Sequence, residues 1–505
     1  MNGIVYWIDK RGEITPERTA LIGEDRSLNY YQMSKEINRV ARMLTEVYQL
    51  QKGDRVAILA MNGIEYLILL FALAKIECIA VPLNIRLSAR ELEFQMKDSG
   101  TKLLITESEF TSVVGQLQDL MEIKEIAWLD SSGPSLSLFD QAAKYSTDPF
   151  RVESVDGSSP YLICYTSGTT GRPKGAVLTQ ENMFWNALNC NLAIDITSED
   201  HILTLLPLFH IGGIGLFAFP ALLAGGTVIV PRKFNPEQAL SMIEEQRVTI
   251  VMGVPAIHDA LRKSPKFAVT DFSSIRWLYS GGAPCAHELI SFFLDRGIPF
   301  GQGFGMTETS PTVFMLSKED YQRKIGSIGK PALFCDIRIV DESGHDAKPG
   351  QAGELLVKGP NVMKEYWNLP DETAKTIKDG WLHTGDLARK DDEGFVYIAG
   401  RMKEMIISGG ENIYPLEVEQ VLNEIPAVDE VAVIGVPDEK WGEVPKAFVA
   451  LKPGARLDEE DLKNHCFSRL ARYKVPKSIL FLDQLPKNAT GKIDKPLLKR
   501  EYGNE

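Results

Sequence analysis

A chain of 505 residues with 44% hydrophobic content holds enough apolar material for several cores, or about three domain-sized units. Its formal net charge of −13 argues against nonspecific nucleic-acid binding, so an anionic ligand has to be met by local clusters of cations. The six cysteines (Cys78, Cys164, Cys190, Cys285, Cys335 and Cys466) show neither metal-ligand spacing nor a dense framework, which indicates buried thiols in a reducing compartment. The first residues lack a basic region followed by a long apolar core, so no secretory signal is expected. Two apolar runs are interrupted, 66–83 by Lys75 and Glu77 and 203–230 by Pro207, His210, Pro220 and several glycines. The expectation is a cytoplasmic protein without an integral membrane segment; peripheral membrane contact and a homodimer stay open.

From 16 to 110 short β-like and helical patterns alternate. Residues 55–60 read as a strand, Asn62 is placed to cap a helix running to Ile76, and 78–82 read as a strand again. Ser88 then caps a helix over 89–97 ahead of a strand at 102–106, and this βαβ order predicts a parallel sheet layered with helices. The stretch 130–158, rich in Ser, Asp, Gly and Pro, reads as a connection. It leads to Tyr165-Thr166-Ser167-Gly168-Thr169-Thr170-Gly171-Arg172-Pro173-Lys174-Gly175, a polar loop between two apolar strands. Three glycines there allow close backbone approach, while four hydroxyls and two cations offer donors to a polyphosphate. A Walker loop starting at Gly168 would need Gly at Pro173 and Ser or Thr at Gly175, so that register fails.

Thr179 caps the next helix, to Ala193, and strands at 202–206, 227–230 and 250–252 alternate with a helix over 236–246, a second layered unit. Within it Pro207-Leu208-Phe209-His210-Ile211-Gly212-Gly213 sets an imidazole after an apolar strand and before glycines that leave room. Ser280-Gly281-Gly282-Ala283-Pro284 is a strand-to-helix turn. Gln302-Gly303-Phe304-Gly305-Met306-Thr307-Glu308-Thr309 fails as a dinucleotide fingerprint because Met306 stands where the last Gly belongs. From 337 to 398 short strands and turns such as Asp341-Glu342-Ser343-Gly344 predict a β-rich subdomain. After the polar junction Gly400-Arg401-Met402-Lys403-Glu404, about 100 residues with mixed α+β patterning read as a separate C-terminal domain on a hinge. In this last domain Lys463 to Arg500 holds ten Lys or Arg against Asp483 and Asp494, either a phosphate-facing patch or a solvated basic surface.

In order and spacing these stretches resemble the motif series of the adenylate-forming superfamily: acyl- and aryl-CoA synthetases, amino-acid adenylation domains and beetle luciferases. The resemblance spans essentially the whole chain. It implies an α/β fold, with a large N-terminal AMP-binding domain (1–400) of layered sheets plus the β-rich subdomain, a hinge (401–403) and a small mobile α+β C-terminal domain (404–505). It also implies ATP, Mg²⁺ and coenzyme A as partners of a small carboxylic acid. On that likeness Thr166, Ser167, Gly168, Thr169, Thr170, Gly171 and Lys174 cradle phosphates, and Gly281, Gly282, Ala283, Gln302, Gly303, Phe304, Gly305 and Met306 wall the adenine and acyl sides. Phe304 replaces the family's usual Tyr and so lacks the phenol. Thr307 touches the α-phosphate, Glu308 holds Mg²⁺, His210 flanks the acid, and Asp386 of Thr384-Gly385-Asp386 and Arg401 grip the ribose and phosphate side. Lys403 marks the pivot, Gly409 and Gly410 of Ile407-Ser408-Gly409-Gly410-Glu411-Asn412 shape a pantetheine tunnel, and Lys492 of Pro486-Lys487-Asn488-Ala489-Thr490-Gly491-Lys492-Ile493 bridges carboxylate and α-phosphate. The implied activity is a two-step acid–CoA ligase, with medium- or long-chain fatty acids expected. Aryl acids of the coumarate or o-succinylbenzoate kind are the alternative. A carrier-loading enzyme is less expected because the chain ends shortly after Lys492, and a luciferase-like oxygenase shares every nucleotide motif.

Overall fold

The computed structural model describes residues 3–150, 155–166, 172–409, 411–488 and 491–503. Two large sheets organise the N-terminal part. The first has nine strands in the order Lys330–Pro331, Thr312–Met315, Phe300–Gly305, Trp277–Ser280, Ile250–Gly253, His201–Thr204, Thr227–Ile229, Thr19–Ile22 and Ser27–Asn29. The second has seven: Glu365–Tyr366, Lys174–Thr179, Pro160–Thr166, Ile79–Pro82, Arg55–Leu59, Leu103–Thr106 and Glu125–Trp128. Both are parallel in the middle; the nine-stranded sheet finishes antiparallel at each end, the seven-stranded one only at its Glu365–Tyr366 end.

Period-2 alternation explains how one sheet serves two cores. Val56 and Ile58 face the large core shared with Leu203, Val251 and Leu278 of the other sheet, whereas Ala57 and Leu59 face a second core with Val81, Leu104 and Ile163. The helix Ile64–Lys75 is apolar on every side, and all of it except Glu65 is buried. A helix with no polar face belongs between layers. Each leucine in it contributes about 1.5–3 kcal/mol over an exposed position.

Several helices add to those the sequence predicts, among them Val5–Ile14 and Tyr30–Val47. The second is amphipathic, burying Tyr30, Met33, Ile37, Val40, Ala41 and Leu44, and starts with an Asn29/Gln32 capping box. Ser88, Thr179 and Asp458 cap the helices Ala89–Ser99, Gln180–Ile194 and Glu459–Phe467 as expected. Asn62 does not: its helix begins at Ile64 with Gly63 in the cap position and no side-chain cap bond.

The β-rich segment forms an antiparallel sheet of Asp336–Val340, Gly353–Lys358, Trp381–Lys390 and Ile377–Lys378, with Val396–Arg401 also paired to Trp381–Lys390. Beyond it, Glu411–Ile413, Ile406–Ser408, Gly442–Leu451, Val428–Asp438 and Ser478–Phe481 build a last sheet. Val431 and Val433 face one core of that sheet, Ala432, Ile434 and Val436 the other, and both cores consist of residues beyond 405. Among the described residues no helix is long and apolar enough to cross a membrane.

Candidate active site

The C-terminal ends of parallel strands from the two large sheets meet, which is where α/β folds leave crevices. Arg232, beyond Thr227–Ile229, grips Glu107, beyond Leu103–Thr106, with two bonds of 3.1 and 2.8 Å. His210 lies beyond His201–Thr204 and caps the short helix Ile211–Gly213, its Nδ1 accepting the Gly212 N–H at 3.2 Å. A ring nitrogen that accepts carries no proton, so the neutral ring keeps its hydrogen on Nε2. Desolvation, helped by the positive charge of Lys492, lowers the His210 pKa to about 4. At neutral pH the ring is therefore an uncharged donor at Nε2.

Glu308 stands in the turn Thr307–Thr309 after the strand Phe300–Gly305, and is buried. Thr309 ties that turn by donating to the carbonyl of Pro311 at 2.6 Å, and Asn361 donates to the carbonyl of Thr309 at 2.9 Å. One Glu308 oxygen, Oε1, accepts the Tyr366 hydroxyl at 2.8 Å. Tyr366 belongs to the two-residue strand that joins the edge of the seven-stranded sheet opposite Ala176. The Lys174 ammonium lies 5.3 Å from the centre of the Tyr366 ring and pairs with Glu372. Sequence reasoning missed Tyr366 and Glu372, which carry no spacing signal toward residues so distant in the chain. Among the described residues no three His, Cys, Asp or Glu side chains gather as a metal cage. A single buried carboxylate with one oxygen already fixed suits a hard cation whose other oxygen ligands come from phosphate and water.

Asp386 and Arg401 are cross-strand neighbours in the β-rich sheet, with Arg401 Nε 2.6 Å from Asp386 Oδ1. The second oxygen, Oδ2, is buried without a hydrogen-bond partner, an acceptor fit for a ribose hydroxyl. Burial raises the Asp386 pKa to about 6; Arg401 and Lys492 pull it down, and the charges of Glu308 and Glu404 push it up. Lys492 has its own pKa lowered by desolvation and then by Arg401, against the attraction of Asp386. Lys492 and His210 are both exposed to solvent, and the charge of Lys492 acts on His210 and Asp386 while Arg401 acts on Lys492, so these four side chains share one neighbourhood.

Most of the basic stretch is a neutralised surface, since seven of its ten cations pair with carboxylates. They are Lys463, Arg469, Lys474, Lys477, Lys487, Lys495 and Lys499. Lys492 belongs to the neighbourhood of His210 and Asp386 instead.

Thr166 ends its strand opposite Lys174 in the hairpin stem. Ser167, Gly168, Thr169, Thr170 and Gly171 lie outside the described residues, as does Gly410. Gly281, Gly282 and Ala283 follow the strand Trp277–Ser280, with Gly282 at φ +79. Gln302 to Gly305 lie in the neighbouring strand and Met306 follows it. Lys403 is exposed in the turn Met402–Glu404, and Gly409, at φ +59, donates to the carbonyl of Trp441 at 2.8 Å.

Glu308, Asp386, Arg401 and Lys492, far apart in the sequence, are thus gathered at the strand ends with a mix of charges that suits a phosphate-bearing ligand. The chain belongs to the AMP-binding enzyme family: that family's profile matches residues 8–367, and the AMP-binding enzyme C-terminal domain matches 417–492. It is similar to a feruloyl-CoA synthase of Amycolatopsis sp, 42% identical over 99% of each chain. It is also similar to an indoleacetate–CoA ligase of Aromatoleum aromaticum, 40% identical over 97% of this chain and 96% of that one. The solved Mycobacterium tuberculosis fatty acyl CoA synthetase superposes with a TM-score of 0.81 at 36% identity, covering 99% of this chain and 98% of the other. The protein is an AMP-forming acid–CoA ligase that uses ATP with Mg²⁺ and coenzyme A.

Proposed function

We propose that the acid activated here is planar and aromatic, an arylalkenoic or arylacetic acid, in place of the fatty acid expected from sequence. The observation that carries this reading is that the relatives at 42% and 40% identity, the feruloyl-CoA synthase and the indoleacetate–CoA ligase, both act on aromatic acids. A second reading, an alkyl chain, has the 36% identical fatty acyl CoA synthetase behind it.

In the first half-reaction a carboxylate oxygen bonds to the α-phosphorus of ATP, and the bond to the β-phosphate bridging oxygen breaks, releasing pyrophosphate. The chain supplies position and charge, with no protein nucleophile. The His210 Nε2–H donates to the acid's carboxylate, Lys492 stands between that carboxylate and the α-phosphate, Thr307 donates to the α-phosphate, and Asp386 accepts from the ribose. Thr166 to Gly171 and Lys174 hold the remaining phosphates. Glu308 would hold Mg²⁺, which when bound neutralises phosphate charge. In the second half-reaction the CoA sulfur attacks the acyl carbon, the bond to the AMP oxygen breaks, and the thiol proton passes to solvent. The unit 404–505 turns about 401–403 between the two steps, bringing Gly409 and Gly410 to the pantetheine.

The test is pyrophosphate release with ATP, Mg²⁺ and CoA over a panel of hydroxycinnamic, arylacetic and C6 to C18 alkyl acids. An aromatic acid leading in kcat/KM supports the reading. Activity that climbs with alkyl length and exceeds every aromatic acid replaces it with the fatty-acid one.

A further inference from the structure

Asn62 stands where a helix cap was expected and does something else. Its side chain leaves the end of the strand Arg55–Leu59 and reaches the other large sheet, where Oδ1 accepts the Leu208 N–H at 2.7 Å and Nδ2 donates to the Leu206 carbonyl at 3.0 Å. One amide thus satisfies a backbone donor and a backbone acceptor two residues apart, fixing both the place and the tilt of that segment. The segment is the root of the His210 turn. His210 N donates to the Pro207 carbonyl at 3.1 Å, and Gly213 packs so closely that an added Cβ would lie 2.2 Å from the same oxygen. The turn has no slack of its own, so its orientation is inherited from 206–208.

The brace is itself anchored. The preceding residue, Met61, donates its N–H to Glu107 Oε2 at 3.2 Å, and that carboxylate is the one gripped by Arg232 of the opposite sheet. Asn62 is therefore held from the seven-stranded side at a point where the two sheets are already tied, and it transmits that position to the imidazole.

We infer that Asn62 is a positioning residue for the acid-activating step: it clamps residues 206 and 208 so that His210 presents its Nε2–H to the substrate carboxylate. The inference rests on the role proposed above for His210. Its effect belongs on the acid and not on the nucleotide, because neither of its two contacts touches the elements that carry Glu308, Asp386 or Lys174.

The experiment compares Asn62→Ala, Asn62→Asp, His210→Ala and the Asn62→Ala/His210→Ala double variant of the full chain. Acid KM, ATP KM and kcat are measured for pyrophosphate release with the best acid of the panel, and melting temperature is recorded for each. Asn62→Ala is expected to lower kcat/KM for the acid about tenfold, with the ATP KM within about twofold of the parent. Asn62→Asp keeps the acceptor and loses the donor, so it should fall between. The double variant should be no worse than His210→Ala alone, since a residue acting through another adds nothing once that other is gone. Additive losses, an ATP KM that rises with the acid KM, or an unchanged acid kcat/KM in Asn62→Ala would overturn the inference. If His210→Ala itself leaves the acid kinetics unchanged, the role given to His210 fails first. If only Asn62→Ala is silent, the inference alone fails.

Discussion

Asp386 would couple the fold to the nucleotide in the role proposed for it. Its folded pKa, about 6, lies above the ordinary carboxylate value. The protonated form is thus favoured by folding, and this stabilising contribution is present at low pH and lost as pH rises through about 6. The ionised form prevails at neutral pH and leaves Oδ2 buried without a donor, a deficit that ribose hydroxyls would relieve in the proposed role. Adenosine affinity should accordingly weaken as pH falls through about 6, when the carboxylate gains a proton and loses an acceptor. Calorimetry with adenosine, which has no titrating phosphate, should show that slope in the parent and a flat response in Asp386→Asn; equal slopes would refute it. Tyr366 makes a different prediction, since it fixes one oxygen of Glu308. Tyr366→Phe should raise the Mg²⁺ concentration for half-maximal ATP binding about tenfold, with ATP affinity at saturating Mg²⁺ unchanged, as read by nucleotide-binding calorimetry across a Mg²⁺ series. At this scale Asp386, Arg401, Glu308 and Lys492 stood out in the sequence as candidates because they sit in ordered motifs, and the structure places them in one neighbourhood. Tyr366 and Asn62 were not, because their partners are 58 and 146 residues away and no local pattern encodes the contact.

The elements that sequence predicted well are those whose signals are local: capping boxes at Ser88, Thr179 and Asp458, and period-2 apolar runs in the central strands. Asn62 misled because Asn favours the cap position while two tertiary bonds claimed its side chain. The short strand Glu365–Tyr366 is too brief to carry a pattern and exists through its partner Lys174–Thr179. Glycines divide along the same line. At Gly305, in the strand Phe300–Gly305 where the register shifts against Thr312–Met315, an added Cβ would fall 1.6 Å from the Pro311 carbonyl oxygen. Gly305→Ala should cost about 1–3 kcal/mol or more through overpacking and displace the Thr307–Thr309 turn. Gly115, in the helix Thr111–Leu120, has nothing within 4 Å of such a Cβ, and Gly115→Ala should add about 1 kcal/mol. Urea unfolding of the two variants decides: midpoints moving in the same direction would contradict the distinction.

Across the whole molecule, layered α/β order was readable from alternating periods, and the parts differ in how firmly they are tied. The unit beyond 404 has its own cores, and Lys263–Asp429 and Lys452–Glu288, each at 3.8 Å, link it to the large part through exposed side chains. Such pairs are worth about 0.2–1 kcal/mol apiece, a light latch. Lys492 rides on that unit. Lys492→Ala should slow adenylation at least about a hundredfold while largely sparing thioester formation from supplied acyl adenylate, and equal loss in both assays would contradict the assignment. The Arg232–Glu107 pair and the Asn62 amide do the opposite job, stitching the two big sheets together at the ends of interior strands. A crevice stitched in this way is suited to act as an anvil: with its walls tied at the strand ends, discrimination among guests would fall to shape at its floor, and, in the two-step reading proposed above, timing would fall to the unit beyond 404.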